Sequence, residues 1–235
     1  MEKKSLTQLL ESNPYPGRGI VLGRDNAGTH AVAAYFIMGR SENSRNRIFS
    51  PARDGIRTEA HDPSKMTDPS LIIYHPVRQV GRSLVVTNGD QTDTIRDAME
   101  DGHCYRHALK TRTFEPDGPN FTPRISGVVL GNGAYALSIL KTMDNDPDTC
   151  QRFFFDYDVP KPGTGHFIST YLTDGDPLPS FCGEPIPVTI DEADPTAWAN
   201  KVWSALNQDN KVSLFVRFID LSTQERQDVI INQLR

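Results

Sequence analysis

From Ala31 to Met38 the chain carries eight consecutive apolar or aromatic residues, AVAAYFIM, before Gly39 ends the run. An uncharged run of that length, mixing aromatic and β-branched side chains, predicts a buried strand better than a helix. The polar stretch from Ser41 to Asn46 that follows predicts a loop or short turn. Similar runs, punctuated by Gly, Pro, Asn and Asp, predict strands over residues 20–22, 71–74, 83–87, 125–130, 135–142, 152–159, 166–172 and 212–219. Gly131-Asn132-Gly133 marks a hairpin between the 125–130 and 135–142 strands.

Helical signals are fewer. Ser5 and Gln8 stand in capping-box spacing at the start, and Thr92 or Asp93 can cap a helix to about Asp101. Asn88-Gly89 before it suits either a hairpin or a strand–loop–helix corner. Asp194-Pro195 precedes Trp198, Val202 and Leu206, four apart on one helical face. Ser222, with Glu225 in capping-box spacing, predicts a last helix to the C-terminus. Residues 48–70, rich in Pro, Asp, Ser and charge, read as a long loop, and 174–187 as a second. About ten strands against three or four helices, without repeat or clean linker, predict one α+β domain over residues 1–235, with stacked sheets and helices outside.

The net charge of −5 over 235 residues argues against a general nucleic-acid or acidic-membrane surface. No apolar run approaches the ~20 residues that cross a bilayer, and the first residues lack a signal-peptide core. Cys104, Cys150 and Cys182 are widely spaced and form no CxxC pair, which suits free thiols in a cytoplasmic protein. His103 and His107 are four apart, but Cys104 stands where a zincin helix needs glutamate, so the pair reads as packing rather than as a metal site. Lys161-Pro-Gly-Thr-Gly165 lacks P-loop spacing.

Local basic clusters therefore matter more than the overall field. Arg40, Arg45 and Arg47, delivered to one edge by the strand before them, suit a phosphate or carboxylate, because guanidinium offers a planar fork of donors. The same spacing also suits a solvated loop making ordinary surface ion pairs. Arg18 lies between Gly17 and Gly19, where the backbone can approach a ligand closely.

Four motifs in order, Asn13-Pro-Tyr-Pro-Gly-Arg-Gly19, Gly39-Arg-Ser-Glu-Asn-Ser-Arg-Asn-Arg47, Asn88-Gly-Asp-Gln91 and Pro119-Asn-Phe-Thr-Pro-Arg-Ile125, resemble the archaeal-type IMP cyclohydrolases. The matches span residues 13 to about 140. The resemblance implies a four-layer αββα sandwich of two mainly antiparallel sheets, like that of the N-terminal-nucleophile hydrolases but without the self-processing nucleophile. It also implies the last ring closure of purine synthesis, in which 5-formamidoimidazole-4-carboxamide ribotide loses water to give IMP, and a possible homo-oligomer.

In that reaction a carboxamide nitrogen attacks a formyl carbon of the same molecule, so positioning is a large part of catalysis. A proton acceptor near the nitrogen and a donor near the formyl oxygen are needed, and no metal or redox cofactor is required. The 5′-phosphate is a remote anchor. Arg40, Arg45 and Arg47, with Arg18 in second place, are the phosphate candidates, and Ser41 and Ser44 can add hydroxyl contacts. Tyr74 and Glu115 are the candidates for proton transfer. Asn88, Asp90, Asn120 and Arg124 are candidates for reading the carboxamide and ribose. An amidohydrolase of the same fold, or a purine-ribotide-binding module without turnover, are the alternatives.

Overall fold

In the computed structural model, which describes residues 4–66, 69 and 71–234, the chain forms two seven-stranded sheets stacked face to face. The first sheet contains β1 (Lys4–Ser5), β2 (Arg18–Arg24), β3 (His30–Met38), β11 (Thr164–Ser169), β12 (Ile186–Thr189), β13 (Lys211–Asp220) and β14 (Arg226–Asn232). Their spatial order is β1-β12-β11-β2-β3-β13-β14. The second contains β4 (Arg47–Ala52), β5 (Gly55–Ala60), β6 (Val77–Val80), β7 (Ser83–Thr87), β8 (Arg124–Val129), β9 (Tyr135–Met143) and β10 (Asp146–Tyr157), in the order β10-β9-β8-β7-β6-β5-β4. Every described pairing between these strands is antiparallel except β1 with β12.

Three apolar clusters account for the layering. Leu6 and Leu10 of α1 (Leu6–Glu11), with Trp198, Ala199 and Val202 of α5 (Pro195–Ala205), cover the outer face of the first sheet. Ile95 of α3 (Gln91–Glu100), with Ala108 and Leu109 of α4 (Tyr105–Leu109), covers the outer face of the second. Between the sheets lie Ile20, Leu22, Ala33, Tyr35, Phe49, Val86, Leu137 and Phe215 among others. Strands buried on both faces need apolar residues at successive positions. That is why β3 reads as an unbroken apolar run rather than an alternating one.

Period-two alternation also decides which polar residues enter the middle layer. On β2 the inward row is Arg18, Ile20, Leu22, and Ile20 stands opposite Tyr35 of β3. On β4 the inward row begins Arg47, Phe49. One end of the inter-sheet layer therefore receives an arginine from each sheet.

Three expectations from sequence are corrected. Residues 48–70 are not one loop: β4 and β5 pair from Arg47↔Ala60 to Ala52↔Gly55, and a 3₁₀ turn follows at Pro63–Lys65. The buried positions Phe49, Ile56 and Thr58 supply enough core for a hairpin, and Pro51 is tolerated because β4 is an edge strand. Thr67, Asp68 and Ser70 lie outside the described residues. Residues 71–74 make turns, with the Ile72 and Ile73 N–H groups both donating to the Pro69 carbonyl. Tyr74 is held instead by Thr58, whose hydroxyl accepts from Tyr74 N at 2.9 Å.

The third correction is at the C-terminus, where β14 replaces the expected helix. Asp220 Oδ1 accepts from the N–H groups of Ser222 and Thr223, closing a tight turn rather than capping a helix. Val229 and Ile231 then pack outward and Ile230 inward, a strand's period. At its end the Asn232 side chain accepts from Phe49 N at 2.9 Å and donates to Phe49 O at 3.1 Å. A side-chain amide thus occupies part of the free edge of β4.

Candidate active site

The Asn13–Gly19 stretch bends into β2 through Gly17, whose φ of +76° L side chains rarely adopt and against which the Tyr171 ring is packed. This places Arg18 at the end of the inter-sheet layer. Arg18 lies half-buried within electrostatic reach of Glu115, Tyr171, Tyr74 and Tyr15, and its Nε has no hydrogen-bond partner. Arg47 is fully buried. Its Nε donates to Ser44 O at 2.8 Å, while Nη1 and Nη2 have no partner.

Two guanidiniums facing one another in a buried layer is a costly arrangement. Burial, with Arg18 next, pulls Arg47 below the ordinary guanidinium value. Burial works against the charge on Arg18 too, but Glu115 and the nearby tyrosines outweigh it and raise that residue overall. Guanidinium stays protonated under either influence. Unpartnered N–H groups beside a second positive charge are a strong preference for an anion.

The tyrosine hydroxyls of Tyr35 and Tyr74 meet at 2.7 Å next to these arginines. Burial raises both, while Arg47 and Arg18 hold both from rising further. Of the pair, Tyr74 is the one that borders an adjoining cavity.

Glu115 is 2% exposed, and burial pushes its carboxyl up to about 7, with Arg18 and Arg124 holding it from rising further. Its placement comes from Asn88. Asn88 Nδ2 donates to Glu115 Oε1 at 3.2 Å and to Pro123 O at 3.0 Å, while Asn88 Oδ1 accepts from Ile125 N and Gln91 Nε2. Gln91 Oε1 in turn accepts from Arg124 Nη1 at 2.7 Å, and Arg124 pairs with Asp90 at 2.8 Å. The Asn88–Gln91 stretch is thus a strand–loop–helix corner whose amides tie the Glu115 loop to β8. Its helix starts one residue before the expected caps, after Asp90, which makes no side-chain cap.

A cavity of about 540 Å³ adjoins Tyr74, with Thr58, Ile73, His75, Asp90 and Asp93 in its walls. A larger depression of about 630 Å³ around Glu42, Arg45, Asn46 and Lys65 contains neither the buried guanidiniums nor Glu115. The smaller cavity does not take in the guanidiniums or Glu115 either, but it reaches the cluster at Tyr74 and its rim at Asp90.

Of the residues singled out from sequence, Arg18, Arg47, Tyr74, Glu115, Asn88 and Arg124 come together, with Asp90 at the rim. Arg40, Arg45, Ser41, Ser44 and Asn120 are engaged elsewhere in the chain. Arg40 pairs with Asp174 at 2.7 Å and lies over the Tyr15 ring. Arg45 donates to Gly39 O and Asn210 Oδ1. Ser41 and Ser44 form a reciprocal capping box at α2 (Glu42–Arg45). Asn120 Oδ1 accepts from Leu178 N, pinning the 174–187 loop.

Sequence reading missed Tyr15, Tyr35, Gln91, Thr122 and Tyr171. Tyr15, Gln91 and Thr122 stood inside three of the motifs, and Tyr35 was the one polar-tipped residue in the apolar run of β3. Tyr171 carried no local signal. His103 and His107 stack at 4.5 Å, and among the described residues no group of three or more His, Cys, Asp or Glu has metal-holding geometry.

A four-layer sandwich whose middle layer ends in two anion-seeking guanidiniums, a tyrosine pair and a desolvated carboxylate defines a class: proteins that hold a small anionic substrate and move protons on it. Comparison with known proteins narrows that class. The model of the family described as "IMP cyclohydrolase-like protein" matches residues 15–225. A Methanopyrus kandleri protein named IMP cyclohydrolase is 33% identical over 166 residues, covering 67% of this chain and 75% of its own. One of the same name from Methanococcus aeolicus is 30% identical over 162 residues, covering 67% and 74%. A third, from Haloquadratum walsbyi, is 31% identical over 126 residues, covering 52% and 59%. The chain belongs to the IMP cyclohydrolase-like family.

Proposed function

We propose that this protein is an IMP cyclohydrolase, closing 5-formamidoimidazole-4-carboxamide ribotide to IMP with loss of water, as one domain working in the cytoplasm. Beyond family membership, the observation that carries the reading is the juxtaposition of Arg18 and Arg47 with Tyr74 and Glu115. The ribotide is anionic at its 5′-phosphate and neutral at its reacting end. A pair of positive charges with unpartnered N–H groups matches the phosphate dianion, and Arg47, whose Nη1 and Nη2 are both unpartnered, is its first anchor.

Binding energy gathered at that anchor fixes the imidazole ring for reaction. The carboxamide nitrogen attacks the formyl carbon, and a C–N bond forms as the formyl oxygen gains charge. Tyr74 donates its proton toward that oxygen, and Glu115, ionised, accepts the proton leaving the nitrogen, directly or through water. The carbinol oxygen takes a second proton from Glu115 and leaves as water as its C–O bond breaks, while the nitrogen that came from the formamide gives its proton to the Tyr74 phenolate, forming the C=N bond of the purine and resetting both groups. Asn88 holds Glu115 in place throughout.

Purified protein incubated with the formamido ribotide, followed by absorbance with and without chelator, tests the reading. IMP formed well above the uncatalysed rate, with and without chelator, is the expected result. No product above that rate overturns it.

A further inference from the structure

A chain of three side chains at the edge of the site has only one consistent arrangement of protons. Thr122 Oγ1 lies against Asp117 Oδ2 in a short contact, and Asp117 Oδ1 also accepts from Thr122 N at 2.6 Å. Tyr171 OH lies 2.5 Å from the same Thr122 Oγ1. An ionised aspartate only accepts, so the Thr122 hydroxyl must donate to Asp117. Having spent its one proton there, Thr122 Oγ1 can only accept from Tyr171. The Tyr171 proton is thereby committed away from the site.

What Tyr171 has left is a lone pair. Its hydroxyl is within the electrostatic reach of Arg18, and its ring stacks on Tyr15 at 5.9 Å. Thr122 is fully buried and Tyr171 2% exposed, so bulk water does not rearrange the chain. The same Thr122 accepts, through its carbonyl, from Glu115 N at 2.9 Å, which sets the Tyr171 oxygen in register with the Glu115 loop. Tyr74 differs, because in its contact with Tyr35 either hydroxyl can donate.

We infer that Tyr171 is a specificity-determining acceptor that reads a hydrogen-bond donor on the ribotide, with Thr122 and Asp117 as positioning residues that fix its polarity. This rests on the proposed ring closure. Two donors of the ribotide fit: the carboxamide N–H, which survives in IMP as the ring N–H, and a ribose hydroxyl.

The test is calorimetric binding of IMP, of purine ribotide lacking the ring N–H, and of an IMP analogue lacking both ribose hydroxyls. Each is measured on wild type, Tyr171→Phe, Thr122→Val and Thr122→Ser, alongside turnover. Tyr171→Phe keeps the Thr122–Asp117 bond and ring packing, so it stands as the test even where Thr122→Val folds poorly. IMP affinity is expected to fall about three- to tenfold in Tyr171→Phe and Thr122→Val and to stay within about twofold in Thr122→Ser.

The loss should vanish with whichever analogue lacks the donor that is read: the purine ribotide for the ring N–H, the dideoxy analogue for the ribose. Wild-type affinity in Tyr171→Phe, or an equal loss for all three ligands, overturns the assignment. Wild type that binds IMP without turning over would fell the ring-closure reading alone, since the affinity pattern still decides Tyr171. Wild type that binds none of the ligands fells both.

Discussion

Arg18 of β2 and Arg47 of β4 enter the same buried layer from opposite sheets, and each leaves guanidinium nitrogen without a partner. Like charges held together in a poorly solvated layer repel, and a bound anion relieves both the repulsion and the unmet hydrogen bonds. Arg47→Met should therefore weaken ribotide binding by roughly tenfold to a hundredfold, the worth of a charge-assisted contact of ~1.5–3 kcal/mol. The corresponding nucleoside should lose much less. Calorimetry with IMP and inosine separates the two, and equal losses would move Arg47 from the phosphate to the ring. In the absence of ligand the variant should melt no lower than wild type, because a buried charge without a counter-ion has gone.

Arg45 should behave oppositely. Its Nε donates to Gly39 O and its Nη2 to Asn210 Oδ1, so it ties the end of β3 to the turn before β13. Arg45→Ala should leave IMP affinity within about twofold while lowering stability by ~1 kcal/mol, the net worth of such hydrogen bonds. A tenfold loss of affinity in a variant of unchanged melting temperature would place Arg45 on the ligand.

Glu115 predicts two pH dependences. As proton acceptor it must be ionised, so kcat/KM should rise as pH increases through about 7, and Glu115→Gln should lose that limb along with ~10²–10⁴-fold in turnover. Stability runs the other way. Burial raises the carboxyl from 4.5 to about 7, so the folded protein binds this proton more tightly than the unfolded chain. Its contribution is fully present below about pH 4.5 and is lost as pH rises through 7, for a total of roughly 3 kcal/mol. Chemical denaturation of wild type against Glu115→Gln from pH 5 to 8 should show wild type losing stability relative to the variant. A constant difference would mean that Glu115 titrates like a solvated carboxylate.

The Tyr35–Tyr74 pair should be unequal in its effect on chemistry. Tyr74→Phe should lower kcat by ~10²–10⁴-fold with little change in IMP affinity. Tyr35→Phe removes one hydrogen bond from Tyr74 but leaves the donor, so its effect should stay near tenfold or below, the worth of a ~1 kcal/mol contact. Steady-state turnover beside calorimetric binding checks both, and equal losses would show the two hydroxyls acting as a relay.

Much of the fold could be read along the chain because its signals are local. The apolar run of β3, the hairpin around Gly131–Gly133 and the Asp194-Pro195 start of α5 each depend on residues within a few positions of one another. The helix assigned to the C-terminus failed for the complementary reason. Ser222 and Glu225 have helix-start spacing, but the neighbouring strand β13 offers a free edge and the chain pairs with it. Residues 48–70 read as a loop in sequence although β4 and β5 pair locally with each other, because Pro51 and the polar residues between them mask a buried set of only Phe49, Ile56 and Thr58.

The site divides along the same line. In the sequence Arg18, Arg47 and Asn88 stand out inside the family-like motifs, and Tyr74 and Glu115 through the proton chemistry of the implied reaction and their places at an expected strand end and in a proline-stiffened loop. Only the stacking of two sheets decided which arginines are buried. Arg47 falls on the inward row with Phe49, while Arg40 and Arg45, seven and two residues earlier, are used to tie loops together. Tyr171 and Thr122, 49 residues apart, acquire a fixed proton direction only when the fold sets their oxygens 2.5 Å from one another. Side-chain periodicity is a property of a segment and is written in it. Burial and hydrogen-bond polarity are properties of pairs brought together across the chain, and only tertiary structure supplies them.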